Sequence, residues 1–278
     1  TIVAMGTSAP EAAVSISAAL KGNAGITIGN VLGSNILNIF IILGLTALLT
    51  KKTVPVASST IKNEMPFMIV IMLILLWMGY AGNEIVRLEG AGLWIVFLLY
   101  LFYLFKMAKK GADKNSKDNE GESSPREGEK KEKSMAMLVL FTAVGLALIV
   151  IGSSVTVDAA TEIAKIIGLS ERFIGLTIVA LGTSLPELFT SVSAARKGKA
   201  DIAIGNIVGS NVFNVLFVVG TSALITPVVF ESKFIVDSIV AVAAGVLLWI
   251  FSFRGRSLNR AEGGLLLLGY LGYFIYLL

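Results

Sequence analysis

Apolar residues run along this chain in long blocks, and polar residues gather in the short breaks between them. Blocks of spanning length fall at residues 1–20, 27–50, 65–82, 91–107, 135–155, 173–195, 202–226, 234–251 and 263–278. A helix needs about 20 predominantly apolar residues to cross a bilayer, so the pattern predicts nine transmembrane helices. One break differs from the rest. Residues 109–134 carry both signs of charge, with Gly, Ser and Pro and no apolar periodicity, which predicts a solvated, mostly disordered linker. The linker divides the chain into a first half, 1–108, and a second half, 135–278.

Composition agrees with this reading. The chain is 55% hydrophobic and 15% charged, whereas soluble domains carry about 25% charged residues. The expected fold class is an all-α polytopic membrane protein whose main partner is the lipid bilayer. There is no Cys and no His. That removes disulfides, thiol chemistry, the usual zinc and copper ligands and the usual general base. The net charge of +4 comes from basic residues dispersed among loops, so no nucleic-acid partner is expected. Neither an obligate protein partner nor a cofactor is expected.

The two halves repeat one another. Thr1–Asn38 reads TIVAMGTSAPEAAVSISAALKGNAGITIGNVLGSNILN, and Thr177–Asn214 reads TIVALGTSLPELFTSVSAARKGKADIAIGNIVGSNVFN. The alignment is gapless and runs on through Thr50 and Thr226, with about 28 of 50 positions identical. An internal repeat is a statement about architecture before it is a statement about any motif.

Basic residues set the orientation. Alternate loops hold Lys51, Lys52 and Lys62; the linker; Arg196, Lys197 and Lys199; and Arg254, Arg256 and Arg260. The other loops hold Lys21, Arg87, Lys165, Arg172 and Lys233. Positive residues favour the cytoplasmic side, so the first set, with the linker, is expected there, in a plasma (inner) membrane. The two copies begin five spans apart and therefore cross the membrane in opposite directions. Such inverted repeats belong to secondary transporters with a binding site near the midplane. The second copy is preceded by the span 135–155 and a lead-in at 158–172, whereas nothing precedes Thr1. A ten-helix protein, with about one and a half helices missing at the N-terminus, is the expected whole.

The most alike parts of the repeat are polar. In GTSAPE, Pro10 has no N–H and clashes with the carbonyl four residues back, so the helix must kink or open. Thr7 and Ser8 place hydroxyls beside the opening, and Glu11 places a carboxylate inside an apolar span. GTSLPE repeats this with Thr183, Ser184, Pro186 and Glu187. Open backbone at membrane depth is tolerated only in protein interior or a wet cavity, and an ionisable group there is functional by default. The second motif, GNxxGSNxxN, adds neutral oxygen. Ser34 with Asn38, and Ser210 with Asn214, share a helix face at i,i+4 and are candidate ligands. Asn30 and Asn206 suit packing hydrogen bonds and ligation equally. Gly29, Gly33, Gly205 and Gly209 form small-xxx-small patterns that let helices approach closely.

Inverted symmetry brings the two kinks together. Two carboxylates in low dielectric cannot both remain ionised unpaired, and no intramembrane Lys or Arg is present to pair them. Their partner is a proton or a metal cation. Carboxylates, hydroxyls, amide carbonyls and opened backbone make an all-oxygen site suited to Ca²⁺, which takes about 6–8 oxygens, better than to octahedral Mg²⁺. Two carboxylates neutralise one Ca²⁺ or draw in several Na⁺, and shared ligands allow exchange.

Both copies resemble the α-repeats of the sodium/calcium exchanger family, within the cation/calcium exchanger superfamily, in its prokaryotic form. The resemblance rests on GTSxPE followed by GNxxGSNxxN, twice, over about 100 residues. It implies an inverted-repeat transporter, not an enzyme, that exchanges Na⁺ for Ca²⁺ by alternating access. It implies that Glu11 and Glu187 are central ligands of both ions. It further implies ligand or lining roles for Thr7, Ser8, Thr183, Ser184, Ser34, Asn38, Ser210 and Asn214, and backbone carbonyls offered to Na⁺ by Ala4 and Ala180. Potassium-dependent relatives carry Asp at the place of Asn214, so Asn there argues against K⁺ co-transport. A Ca²⁺/H⁺ antiporter on the same scaffold stays open, because crowded carboxylates can carry protons. A channel is disfavoured by a single midplane site, and an intramembrane enzyme by the lack of His and Cys.

Overall fold

A computed structural model describes residues 2–22, 25–50, 53–118 and 173–278, with scattered positions between 137 and 168. The span expected at 135–155, the lead-in at 158–172 and most of the linker lie outside the continuously described residues. Elsewhere every expected block is helical. The first half runs α1 (Ile2–Thr7), α2 (Ala9–Leu20), α3 (Gly25–Leu37), a π-helical turn (Asn38–Leu43) and α4 (Gly44–Leu49). Strand β1 (Val54–Pro55), a second π-helical turn (Thr60–Glu64), α5 (Met65–Gly82), β2 (Glu84–Ile85) and α6 (Arg87–Asp118) complete it. The second half follows the same order. A π-helical turn (Ile174–Val179) leads into α7 (Ala180–Thr183), α8 (Leu185–Arg196), α9 (Ala200–Phe213), another π-helical turn (Asn214–Val219) and α10 (Gly220–Ile225). Then come β3 (Val228–Val229), α11 (Phe234–Gly255), β4 (Ser257–Leu258) and α12 (Arg260–Leu277).

Five continuous helical stretches are long and apolar enough to cross a membrane: Ile26–Leu49, Thr60–Gly82, Arg87–Lys109, Ile202–Ile225 and Phe234–Gly255. A sixth crossing is a broken one, Ile174–Thr183 with Leu185–Arg196, bent by 50°. The expected block 1–20 is broken likewise, leaving Ala9–Leu20 as a shorter apolar helix. The described residues thus give five or six candidate spans where hydropathy blocks alone predict nine. One boundary moves. The candidate span of the fourth block ends at Lys109, close to the expected 107, but its helix runs on to Asp118, so the first part of the charged segment is helical.

Two short ribbons reveal how the halves are related. β1 pairs antiparallel with β4, Val54 opposite Leu258, and β2 pairs with β3, Glu84 opposite Val229. α5 runs from β1 to β2, and α11 runs from β3 to β4. The ribbons therefore bring the start of α5 to the end of α11 and the end of α5 to the start of α11, and the two helices pack together. Repeat-equivalent helices that lie antiparallel require a two-fold axis across them, in the plane of a membrane they would span. The fold is an all-α inverted repeat.

The symmetry extends to details. Arg87 donates to the Ile225 carbonyl at 3.1 Å, and Arg260 to the Thr50 carbonyl at 3.2 Å. Each satisfies a carbonyl at or next to the C-terminus of a helix in the opposite half. α12 crosses α4 at Gly263 and Gly44, and α6 crosses α10 at Gly90 and Gly220. A Cβ on Gly263 would lie 2.7 Å from the Ala47 Cβ, and one on Gly90 2.9 Å from the Ala223 Cβ. Helices in lipid gain association from such backbone approach, because apolar burial alone does not drive it. The outer surface stays apolar: Leu98, Leu99, Phe102 and Phe105 of α6 are exposed, as lipid-facing residues would be. The two continuous repeat spans, Ile26–Leu49 and Ile202–Ile225, are the most buried, each 83% inside the protein, and they carry the second polar motif.

Candidate cation site

The proline motifs open the helices where expected. Ser8 sits between α1 and α2 with φ −84° and ψ 12°, and Ser184 sits between α7 and α8 with φ −86° and ψ 6°. Pro10 and Pro186 fall in the first turns of α2 and α8, where a missing N–H leaves no helical bond broken. The same geometry puts Glu11 and Glu187 in those first turns, where the partial positive charge of a helix N-terminus favours an anion.

The hydroxyls then cross between copies. Ser8 Oγ donates to Glu187 Oε1 at 2.7 Å, and Ser184 Oγ donates to Glu11 Oε1 at 2.9 Å. Ser210 Oγ adds a second bond to Glu187 Oε1 at 3.3 Å. Thr183 Oγ1 donates to Asn30 Oδ1 at 3.3 Å and stands 3.5 Å from Ser34 Oγ. Thr7 is only partly buried, and its hydroxyl donates to the Ala4 carbonyl at 3.2 Å. The Ala4 carbonyl also accepts from the Ser8 N–H, and the Ala180 carbonyl accepts from the Ser184 N–H and the Thr183 hydroxyl. An ion using either carbonyl would displace a threonine hydroxyl. Glu11, Glu187, Ser8, Ser34, Asn38, Thr183, Ser184, Ser210 and Asn214 are all buried. The fold therefore gathers nine of the predicted side chains in its interior, with the two alanine carbonyls beside them and Thr7 at the margin.

Four asparagines lock the copies together. Asn38 Nδ2 donates to Asn211 Oδ1 at 2.9 Å, and Asn214 Nδ2 donates to Asn35 Oδ1 at 3.1 Å. Asn211 Nδ2 reaches the Asn35 carbonyl at 3.3 Å, and Asn35 Nδ2 reaches the Asn211 carbonyl at 3.5 Å. Asn35 and Asn211, which the second motif also contains without a role assigned to them, thus join the two copies beside the candidate ligands. Their signal was present, since both belong to the GSN triplet of each copy, but nothing in a linear sequence says which face of the helix meets its symmetry mate. Asn30 behaves as a packing residue, donating to the Glu11 carbonyl at 3.2 Å and to Ser15 Oγ at 3.0 Å. The π-helical turns begin at Asn38 and Asn214. Such an insertion changes which face the following residues present.

The glycines divide. A Cβ on Gly33 would lie 2.7 Å from the Leu176 carbonyl oxygen, so Gly33 does allow a close crossing. Gly29 makes ordinary contact with Phe234, while a Cβ on Gly205 meets nothing within 4 Å among the described residues. The packing role expected of Gly205 is corrected accordingly: no described neighbour approaches it.

Among the buried oxygens of the described residues that have no hydrogen-bond partner are two symmetric pairs, Glu11 Oε2 with Glu187 Oε2 and Asn38 Oδ1 with Asn214 Oδ1, and also Asn206 Oδ1. Buried polar atoms are nearly always bonded. No described basic side chain pairs with either glutamate, and no three acidic, imidazole or thiol groups gather anywhere among the described residues. The arrangement offers two carboxylate and two amide oxygens, with serine and threonine hydroxyls around them. That chemistry suits a hard cation.

Comparison with known proteins gives the same direction. The family model for sodium/calcium exchanger proteins matches residues 1–106 and 137–278. This chain belongs to the sodium/calcium exchanger family. It is 36% identical over 289 residues to the inner membrane protein YrbG of Escherichia coli, covering 100% of this chain and 83% of the relative. It is 32% identical over 313 residues to the sodium/calcium exchanger MaX1 of Methanosarcina acetivorans, covering 100% and 87%. A solved structure of the sodium-calcium exchanger NCX_Mj, soaked with Na⁺ and Sr²⁺, superposes with a TM-score of 0.76 at 29% identity, covering 99% of this chain and 84% of that one. As a member of this family the chain is an exchanger, a polytopic membrane transporter rather than an enzyme.

Proposed function

We propose that this exchanger is driven by Na⁺ and extrudes Ca²⁺, with Glu11 and Glu187 as the central ligands shared by both ions. The observation that carries this reading is the pair of buried carboxylates, each with one oxygen held by the opposite copy's serine and the other unpartnered among the described residues. The bonded oxygen fixes each carboxylate, and the other is left for an ion. Asn38 and Asn214 contribute amide oxygens whose orientation is set by the donation of their own Nδ2 groups across the interface. Ser34, Ser210, Thr7, Thr183, Ser8 and Ser184 line the same space, and the Ala4 and Ala180 carbonyls are reserve ligands for Na⁺. A site of this composition is neutralised by one Ca²⁺ or by two Na⁺, so one occupant excludes the other. The inner membrane, with residues 109–134 cytoplasmic, is the placement that the basic loops and the YrbG relative favour.

Reconstitution into proteoliposomes tests the driving ion. Ca²⁺ uptake should follow an outward Na⁺ gradient and be indifferent to an outward H⁺ gradient at fixed Na⁺. Uptake driven by the proton gradient alone would replace this reading with a Ca²⁺/H⁺ antiporter.

A further inference from the structure

Outside the cation site the fold carries a second symmetric pair of buried carboxylates. Glu64, in the turn before α5, and Asp237, in the first turn of α11, occupy equivalent places in the two halves and are 6% and 0% exposed. The equivalence follows from the gapless alignment of 59–85 with 232–258, which also matches Asn83 with Arg256, the two non-glycine residues at positive φ. Tyr100 and Tyr273 are equivalent in the same register.

The two halves use this pair differently. In the second half Tyr273 donates to Asp237 Oδ1 at 3.0 Å. In the first half Glu64 lines a cavity of about 510 Å³ with Asn63, Phe67, Val96, Leu99, Tyr100 and Tyr103. The first half carries Asn63, Phe67 and Leu99 where the second has Val236, Val240 and Gly272. It has therefore gained an amide, an aromatic ring and an apolar wall around its carboxylate. Phe67 stacks on Tyr100 at 5.1 Å, and Tyr100 on Tyr103 at 6.5 Å. Asn63 Nδ2 donates to the Tyr103 hydroxyl at 3.1 Å.

A carboxylate beside stacked aromatic faces attracts an organic cation, through charge and through the ring quadrupole. A bare Na⁺ or Ca²⁺ would find too few oxygens here. The remaining wall, Val96 and Leu99, belongs to the lipid-facing side of α6, where Leu99 is 64% exposed. The cavity lies at the Thr60 end of the α5 span, on the side that the basic loops mark as cytoplasmic. Its occupant must bring a cationic group to Glu64, hydrogen-bonding atoms to Asn63 and Tyr103, and hydrocarbon to Leu99. We propose that the cavity is a lipid site that holds a phosphatidylethanolamine headgroup. The primary ammonium hydrogen-bonds to Glu64, which a quaternary ammonium cannot do, the phosphate faces the Asn63–Tyr103 pair, and an acyl chain lies along Val96 and Leu99.

Native mass spectrometry of the purified protein with dioleoyl phosphatidylethanolamine, phosphatidylcholine and phosphatidylglycerol at equal concentration tests this. The parent should retain the ethanolamine lipid preferentially, and Glu64→Gln should lower its retention about tenfold, the loss of one charge-assisted contact. Leu99→Trp adds bulk to the exposed wall of the cavity and keeps the Glu64 carboxylate itself, so it should have the same effect even if Glu64→Gln fails to fold. Asp237→Asn, in the half that has Val240 and Gly272 in place of Phe67 and Leu99, should leave the preference intact. Equal retention of the three lipids by the parent overturns the proposal. So does an unchanged preference in Leu99→Trp, or a loss in Asp237→Asn as large as in Glu64→Gln.

Discussion

Replacing Glu187 by glutamine should weaken Ca²⁺ binding while leaving the ion-free protein as stable as the parent or more so. The two signs come from different atoms. Oε1 accepts from Ser8 at 2.7 Å and from Ser210 at 3.3 Å, and an amide oxygen can keep both bonds. Oε2 has no partner, and in glutamine its place is taken by an NH₂ group that presents hydrogens to the cation. Without an ion, two buried carboxylates repel one another and lose hydration, so removing one charge relieves the site. With an ion, breaking a buried charge pair costs about 3–5 kcal/mol, or roughly two to three and a half decades in affinity. Thermal unfolding reads both effects. At a Ca²⁺ concentration 100 times the parent's Kd, binding stabilises the parent by about 2.7 kcal/mol, whereas a Kd raised 100-fold leaves about 0.4 kcal/mol. The Ca²⁺-induced rise in Tm should therefore nearly vanish in Glu187→Gln, and the ion-free Tm should not fall. A variant that keeps the parent's Ca²⁺-induced rise would refute the assignment of Glu187 as a central ligand.

Further outcomes follow from the same geometry. Ser8→Ala and Ser184→Ala should weaken Ca²⁺ binding to similar extents in titration calorimetry, each removing a hydrogen bond to a carboxylate worth about 1.5–3 kcal/mol; a large asymmetry would show that the two-fold relation does not extend to function. Gly33→Ala should destabilise the protein by about 1–3 kcal/mol through overpacking against the Leu176 backbone, while Gly205→Ala, with nothing within 4 Å of the added Cβ among the described residues, should be neutral or slightly stabilising by denaturant or thermal melting. Deleting residues 119–130, beyond the end of α6, should leave exchange in proteoliposomes largely intact, and lost transport there would assign that segment a working part.

Much of this architecture was legible in the chain because membrane spans and repeats are properties of local sequence. Apolar block length marks where helices can cross, a proline with a glutamate beside it marks where one must open around a charge, and a gapless repeat forces symmetry. Glu11, Glu187 and the hydroxyls around them could be named on those grounds alone. Basic loop residues suggested that the copies are inverted, but the ribbons pairing Val54 with Leu258 and Glu84 with Val229 are what make α5 and α11 antiparallel. Other features had no linear signal. The expected linker boundary missed the helix running on to Asp118, because charge and low hydropathy report exposure to water and not loss of helical hydrogen bonding. Asn35 and Asn211 looked like their neighbours in the motif, and only the crossing of α3 with α9 shows that they bond to each other across the halves. The difference between Glu64 and Asp237 is of the same kind. Both are acids at equivalent helix starts, and it is the side chains delivered by α6 and α12, distant in sequence, that close one against a tyrosine and leave the other lining a cavity. Local propensity determines which segments are helical, whereas the neighbours a polar atom finds depend on packing between segments, which no single stretch of sequence encodes.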